Sequence, residues 1–104
     1  MPSTPITAVA GTTTIVAAQA GRRVRVLGYV LVASAAGTIT WQDGAATALS
    51  GAMALAVGQS LVAPDTAPVV GSERGWFLTG TSQSLVLNLG TGAAAAGHVL
   101  WDYI

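Results

Sequence analysis

Turn-forming residues punctuate this chain about every 8–12 residues, the spacing of short strands in an all-β fold. They fall at Gly11, Ala20-Gly21, Ala36-Gly37, Asp43-Gly44, Gly51, Gly58, Pro64-Asp65, Gly71 to Gly75, Gly80 and Gly90 to Gly92. No segment between them carries an amphipathic helix. Even the alanine run 93–96 is held between glycines and is too short to be helical alone. Strand character is expected at 6–10, 13–19, 23–33, 38–43, 47–50, 52–56, 60–63, 76–79, 84–89 and 97–104. Residues 1–5 read as a short N-terminal arm, and 6–104 as a single β-sandwich domain.

Period-two alternation assigns faces to these segments. Leu85, Leu87 and Leu89 oppose Ser84, Val86 and Asn88; Ile39 and Trp41 oppose Thr38, Thr40 and Gln42. Val99, Trp101 and Tyr103 oppose His98, Leu100, Asp102 and Ile104. One apolar and one mildly polar face per strand is the pattern of two packed antiparallel sheets. In 23–33, Val24, Val26, Gly28, Val30 and Val32 form the face expected in the core. The other face, Arg23, Arg25, Leu27, Tyr29 and Leu31, starts charged and turns apolar. Its far end is expected to lie under a loop, the N-terminal arm or another subunit. The expected core is Ile15, Val24, Val26, Val30, Ile39, Trp41, Leu85, Leu87 and Leu89.

Charge narrows the function. Only 8% of residues are charged and the formal net charge is zero, with four arginines and no lysine. Nucleic-acid binding through a basic face needs several cations on one surface, so no nucleic-acid partner is expected. The longest uncharged apolar stretch, 26–37, is too short to cross a bilayer as a helix, so no membrane partner is expected. The first five residues lack a basic start and an apolar core, and do not read as a secretory signal. There is no cysteine and one histidine, so no metal site and no cofactor are expected. A surface with so little charge has little electrostatic protection against association. That points to a partner.

Catalysis needs convergent titratable groups. His98 and Asp102 share a strand face but stand about 13 Å apart at four strand rises, too far for a dyad. Neither Ser82 nor Ser84 lies in a nucleophile elbow. No enzyme is expected. The loop Gly71-Ser72-Glu73-Arg74-Gly75 matches no phosphate-binding pattern, and Glu73 and Arg74 read as a turn tip or an intersubunit contact. Asp43-Gly44 suits a type I′ hairpin turn. Arg22, Arg23 and Arg25 either solvate a strand end or dock on acidic groups of a neighbour, Glu73 of another copy among them. The candidate interface set is therefore Arg22, Arg23, Arg25, Leu27, Tyr29, Leu31, Glu73 and Arg74. The six aromatics fall within or beside alternating strands and read as core or interface rather than as a sugar-binding platform.

Three stretches together resemble small tailed-phage virion proteins. The first runs from Thr14 to Val30 through Val16-Ala17-Ala18, Gly21, the pair Arg22-Arg23 and an alternating strand. The second is Ile39-Thr40-Trp41-Gln42-Asp43-Gly44 followed by Leu49-Ser50-Gly51-Ala52-Met53. The third is Gly75-Trp76-Phe77-Leu78-Thr79, then Ser84-Leu85-Val86-Leu87, then Gly97-His98-Val99-Leu100-Trp101-Asp102-Tyr103. The likeness covers roughly 6–104. It implies a jelly-roll-like antiparallel β-sandwich of about eight strands that decorates or cements a phage head, often as homotrimers. The partners it implies are copies of itself and the major capsid protein or other virion proteins, in a virion assembled in the host cytoplasm. Similar domains occur in tail, baseplate and fibre proteins. A stand-alone carbohydrate-binding module is the third reading, and it requires Trp41, Trp76 or Trp101 exposed in a groove.

Overall fold

The computed structural model of the protein describes residues 3–64 and 76–104. Every regular element in them is a strand: β1 (Ser3–Val16), β2 (Val24–Ala35), β3 (Gly37–Asp43), β4 (Met53–Leu55), β5 (Ser60–Ala63), β6 (Phe77–Leu78) and β7 (Leu85–Tyr103). All pairings are antiparallel. The fold is all-β and antiparallel, as the turn spacing predicts. The described residues form seven strands, hydrogen-bonded into one sheet in the order β4-β3-β7-β2-β5, with β1 along β7 and β6 beside β2.

One sheet makes both layers because its long strands fold over. β7 has 19 residues. Straight, it would run about 60 Å, yet the longest dimension of the molecule is 38 Å. β2 and β3 follow one another along β7 with only Ala36 between them. Extended, they would hold Tyr29 and Trp41 about 40 Å apart; the two rings lie 5.1 Å apart. The bend runs where pairing with β7 lapses, between Val9 and Gly11, between Ala35 and Ile39, and between Leu89 and Ala94. Small residues permit it: a Cβ on Gly37 would overlap the Ala93 side chain. The first layer holds the start of β1, the end of β7, β2, β5 and β6. The second holds the end of β1, the start of β7, β3 and β4. The doubled sheet approaches a closed barrel.

The core lies between the layers. Leu85, Leu87, Leu89, Ile39, Val24, Val26 and Val99 are buried, and Trp41 packs with Tyr29 and Phe77 at centroid distances of 5.1 and 6.2 Å. Burial of this kind stabilises at about 25 cal/mol per Å² of apolar area. Seven of the nine expected core residues are buried; Ile15 packs against the core from its margin, and Val30 does not belong to it.

Val30 is misplaced because β2 contains a bulge. Val26 pairs with Trp101 and Gly28 with Leu100, so Leu27 is an extra residue with no partner on β7. A bulge of one residue exchanges the faces of all that follows. Val24 and Val26 point inward before it; Tyr29, Leu31 and Ala33 point inward after it. Val30 and Val32 therefore face outward. β1 changes parity twice: Ile6 and Ala8 are buried before the irregularity at Ala10, Thr13 stands opposite buried Leu87 after it, and a second irregularity at Ile15 restores the first parity, so that Val16 is buried.

Other expectations shift for related reasons. Residues 3–5 are not a free arm. Ser3, Thr4 and Pro5 stand opposite Leu100, Val99 and His98, and the Trp101 indole N–H donates to Thr4 Oγ1 at 2.8 Å. Residues 90–96 are part of β7, with β1 and β2 paired along 94–96 and Ala93 and Ala95 buried beneath them. Residues 47–50 supply only a single bridge, Ala48 to Gln42. The Asp43-Gly44 turn is not type I′, because Gly44 lacks the positive φ which that turn demands. Positive φ falls instead on Ala46 (63°), after an Ala46 N–H to Asp43 carbonyl bond of 3.0 Å.

Candidate functional site

The cross-strand register sorts the outer side of the sheet into two unlike regions, because residues directly opposite one another share a face. On the first layer the rows are Val9–Ala94–Ala35, Thr7–Ala96–Val32–Ser60 and Pro5–His98–Val30–Val62, followed by Ser3–Leu100–Gly28. This face is mainly apolar and solvent-exposed: Val9 is 64%, Val32 41% and Val62 65% accessible, with Ser3, Thr7, Ser60 and His98 among them. Among the described residues, His98 is its one titratable side chain until the row of Arg25 and Asp102. Four strands about 4.8 Å apart and some 20 Å of strand length make the whole face roughly 400 Å², an upper bound on its apolar part. The largest apolar patch on a typical monomer is of this order and is often functional.

On the second layer the rows are Thr14–Val86–Gln42 and Thr12–Asn88–Thr40, with Thr38 beyond. This face is built from hydroxyls and amides. At its end an open groove of about 300 Å³ is lined by Thr12, Thr14, Gln42, Asp43, Gly44, Ala46, Ser84 and Val86. Asp43 is the only ionisable residue there, and its carboxylate is occupied. Oδ1 accepts the N–H groups of Ala45 (3.0 Å) and Thr47 (3.1 Å), and Oδ2 that of Gly80 (3.2 Å). Asp43 thus ties the hairpin turn to the 79–84 loop, a structural task for a carboxylate held by charge-assisted bonds.

The residues singled out from the sequence divide. Arg25 makes a bidentate pair with Asp102 of the same chain, Nε to Oδ1 at 2.9 Å and Nη2 to Oδ2 at 2.6 Å. The two stand directly opposite in the β2–β7 register, so the acid that meets this arginine comes from the chain itself. Arg23 donates Nε to the Thr79 carbonyl at 2.8 Å. Arg22 is exposed, its backbone bonded to Gln19 and Ser82. Leu27, Tyr29 and Leu31 do not form an outer face. They are buried within the chain, Tyr29 and Leu31 in its main core, because of the bulge at Leu27. Burial pushes the Tyr29 phenol above its ordinary pKa, with the neighbouring Trp41 indole acting the other way. Glu73 and Arg74 lie outside the described residues.

The patch that replaces them, with Val9, Val30, Val32, Val62 and Leu100, escaped the alternation. The available signal was Gly28, since an isolated glycine within a strand pattern often marks a bulge.

The tryptophans make no sugar platform among the described residues. Trp41 is fully buried, Trp101 is half-buried edge-on to Tyr103, and Trp76 is exposed with its N–H donated to the Pro64 carbonyl. Among the described residues there is no group of three or more metal-ligating side chains, and no helix is long and apolar enough to cross a membrane. Comparison with family models, curated proteins and solved structures gives no match. The likeness to phage virion proteins therefore rests on the sequence motifs alone.

Proposed function

We propose that this protein is a structural subunit of a tailed-phage virion, a head decoration or cement protein that acts by burying its apolar sheet face against neighbouring subunits. The observation that carries the reading is that face: Val9, Val32 and Val62 stand together on one side of a four-stranded layer, exposed to solvent. The near-absence of charge favours the same role, since little opposes close packing of copies. The motif resemblance supplies the virion as the setting. It also supplies the partners, which are copies of this chain, in threes by that likeness, and the major capsid protein or another virion protein.

The energetics suit a repeated subunit. Burying a face of roughly 400 Å² on one partner yields at most about 10 kcal/mol gross at 25 cal/mol per Å² of apolar area. Association alone costs about 4–15 kcal/mol. A single contact is then weak, and many copies on a symmetric shell hold by avidity.

The test is antibody labelling of particles released from cells that carry the gene, with wild-type chain and with Val32→Asp plus Val62→Asp. Wild-type signal on heads, lost in a variant that still folds, supports the proposal. Signal on tails moves the protein to a tail or baseplate role. A wild-type chain on no particle overturns the virion reading.

A further inference from the structure

We propose that the groove on the polar face holds a neutral sugar, by hydroxyl and amide side chains set around a valine floor. Three observations carry this. The first is Val86. It shares the outward row Thr14–Val86–Gln42 and stands outside the core cluster, yet it is only 7% accessible. An outward valine so covered lies at the bottom of a recess, with Thr12 and Thr14 of β1 on one side and Gln42 to Ala46 on the other. The second is the free hydrogen-bonding capacity around that floor. The side chains of Thr12, Thr14, Gln42 and Ser84 make no hydrogen bond with other described residues. Each of these hydroxyls, and the amide, can both donate and accept. The third is Ala46, which lines the groove in the left-handed backbone region at φ 63°. Glycine is the default there, and an L side chain is strained. Asp43 holds the strained turn through its bonds to the N–H groups of Ala45 and Thr47. The alanine methyl, which glycine would lack, stays in the lining, and strain of this kind collects at ligand clamps.

The lining chooses the class of ligand. An anion meets no cationic side chain in the groove, and Asp43 stands at its end. A cation finds no open carboxylate, since the two oxygens of Asp43 already accept three backbone N–H groups. A peptide strand would need an unpaired main-chain edge, and the floor lies across β1, β7 and β3, which are bonded to one another. Val86 and Ala46 offer too little apolar surface for a hydrocarbon. A sugar ring has hydroxyls at its rim and C–H groups on its faces, which matches four neutral polar side chains around one valine. The volume of about 300 Å³ is at the lower end of small-molecule sites. No aromatic side chain lines the groove, so a single site binds in the millimolar range. The groove opens on the layer opposite the apolar face. A copy docked by that face, as proposed above, turns its groove away from the shell, and many copies grip a polysaccharide by avidity. The site on the single chain does not depend on that docking.

The experiment is an NMR titration of the backbone amides of the full chain with methyl glucoside, galactoside, mannoside and N-acetylglucosaminide, each to about 50 mM, with glycerol as control. Saturable shifts at Gly44, Ala46, Ser84 and Val86 are expected from at least one glycoside and not from glycerol. Gln42 and Thr14 lie outside the core cluster, so their variants should keep a dispersed spectrum. Gln42→Ala and Thr14→Val should each weaken the binding at least about fivefold. Thr38→Val, on the same face but outside the groove lining, should leave it unchanged. No saturable shift from any of the four glycosides, shifts confined to other residues, an equal response to glycerol, or full binding by both groove variants overturns the proposal. Particle labelling is unaffected by any of these outcomes, so the sugar site and the assembly reading fail separately.

Discussion

The two outer faces of this sheet share the strands β1 and β7, yet one is lined by valine and alanine and the other by threonine, asparagine and glutamine. Their inner sides both bury apolar side chains, Leu31 and Val99 beneath one and Ile39 and Leu87 beneath the other. Core demand therefore does not explain the contrast. What differs is the requirement on the outside: the second layer is fitted for water, whereas the first leaves Val9, Val32 and Val62 exposed where polar β-formers would fold as well. In a chain with 8% charge, the placement of uncharged polar groups is the main means of keeping a face solvated. They are fewer on the first face, where Ser3, Thr7 and Ser60 stand among valines and alanines, and on the proposed function that is the face a partner covers.

The largest expected effect tests whether the bulge at Leu27 really sets these faces. Leu31 and Val32 are neighbours, one inside and one out. Leu31→Ala should cost about 2–5 kcal/mol in urea unfolding, the range for a buried leucine. Val32→Ala should stay within about 0.5 kcal/mol. The reverse order would restore the simple alternation and erase the apolar face. Leu87→Ala, beneath the polar face, should also fall in the range of about 2–5 kcal/mol, since the layers share one core.

Next in size is the contrast in association. Val32→Asp should weaken self-association at least about tenfold, equivalent to about 1.4 kcal/mol. Thr40→Asp, at an equivalent depth on the other face, should leave it unchanged. Equal losses in both would mean that added charge acts on the whole molecule rather than on a defined contact.

Much of this architecture was legible. In β3 and β7 strict alternation runs without interruption, and Ile39, Trp41, Leu85, Leu87 and Leu89 are buried as their spacing predicts. In β1 and β2 it failed, because a bulge is a backbone event and Leu27 and Ala10 are ordinary strand residues. The doubling of the sheet was also hidden. Glycines at 37, 90 and 92 read as turns between strands, while the structure uses them within or at the start of strands where the sheet bends. The partner of Arg25 was out of reach for another reason. Asp102 lies 77 residues away, and only the register of β2 against β7 sets them face to face.

That pair supplies the next smaller effect. Both side chains are about a quarter to a third exposed, so solvent screens much of their attraction. Arg25→Ala should cost about 0.2–1 kcal/mol in thermal or urea unfolding. A loss beyond about 2 kcal/mol would show that the pair anchors β2 to β7 as a buried bridge does.

The smallest expected effect bears most directly on what the polar face is for. Thr12 and Thr40 flank Asn88 in one row, and Thr12 also lines the groove beside Asp43. If their hydroxyls serve only to solvate the sheet, each can become valine at little cost, because the β-branched shape is kept and no core contact is lost. Thr12→Val with Thr40→Val should then change stability by less than about 0.5 kcal/mol. It should nevertheless alter behaviour in solution by giving the second layer an apolar row of its own. Sedimentation at pH 7.5 should show species larger than those of the wild type, since a second sticky face allows open-ended growth. A double variant that stays no larger than wild type would mean that an exposed apolar row is not by itself adhesive in this sheet. The first face would then owe its adhesion to the shape and extent of its four-stranded patch rather than to the valines alone.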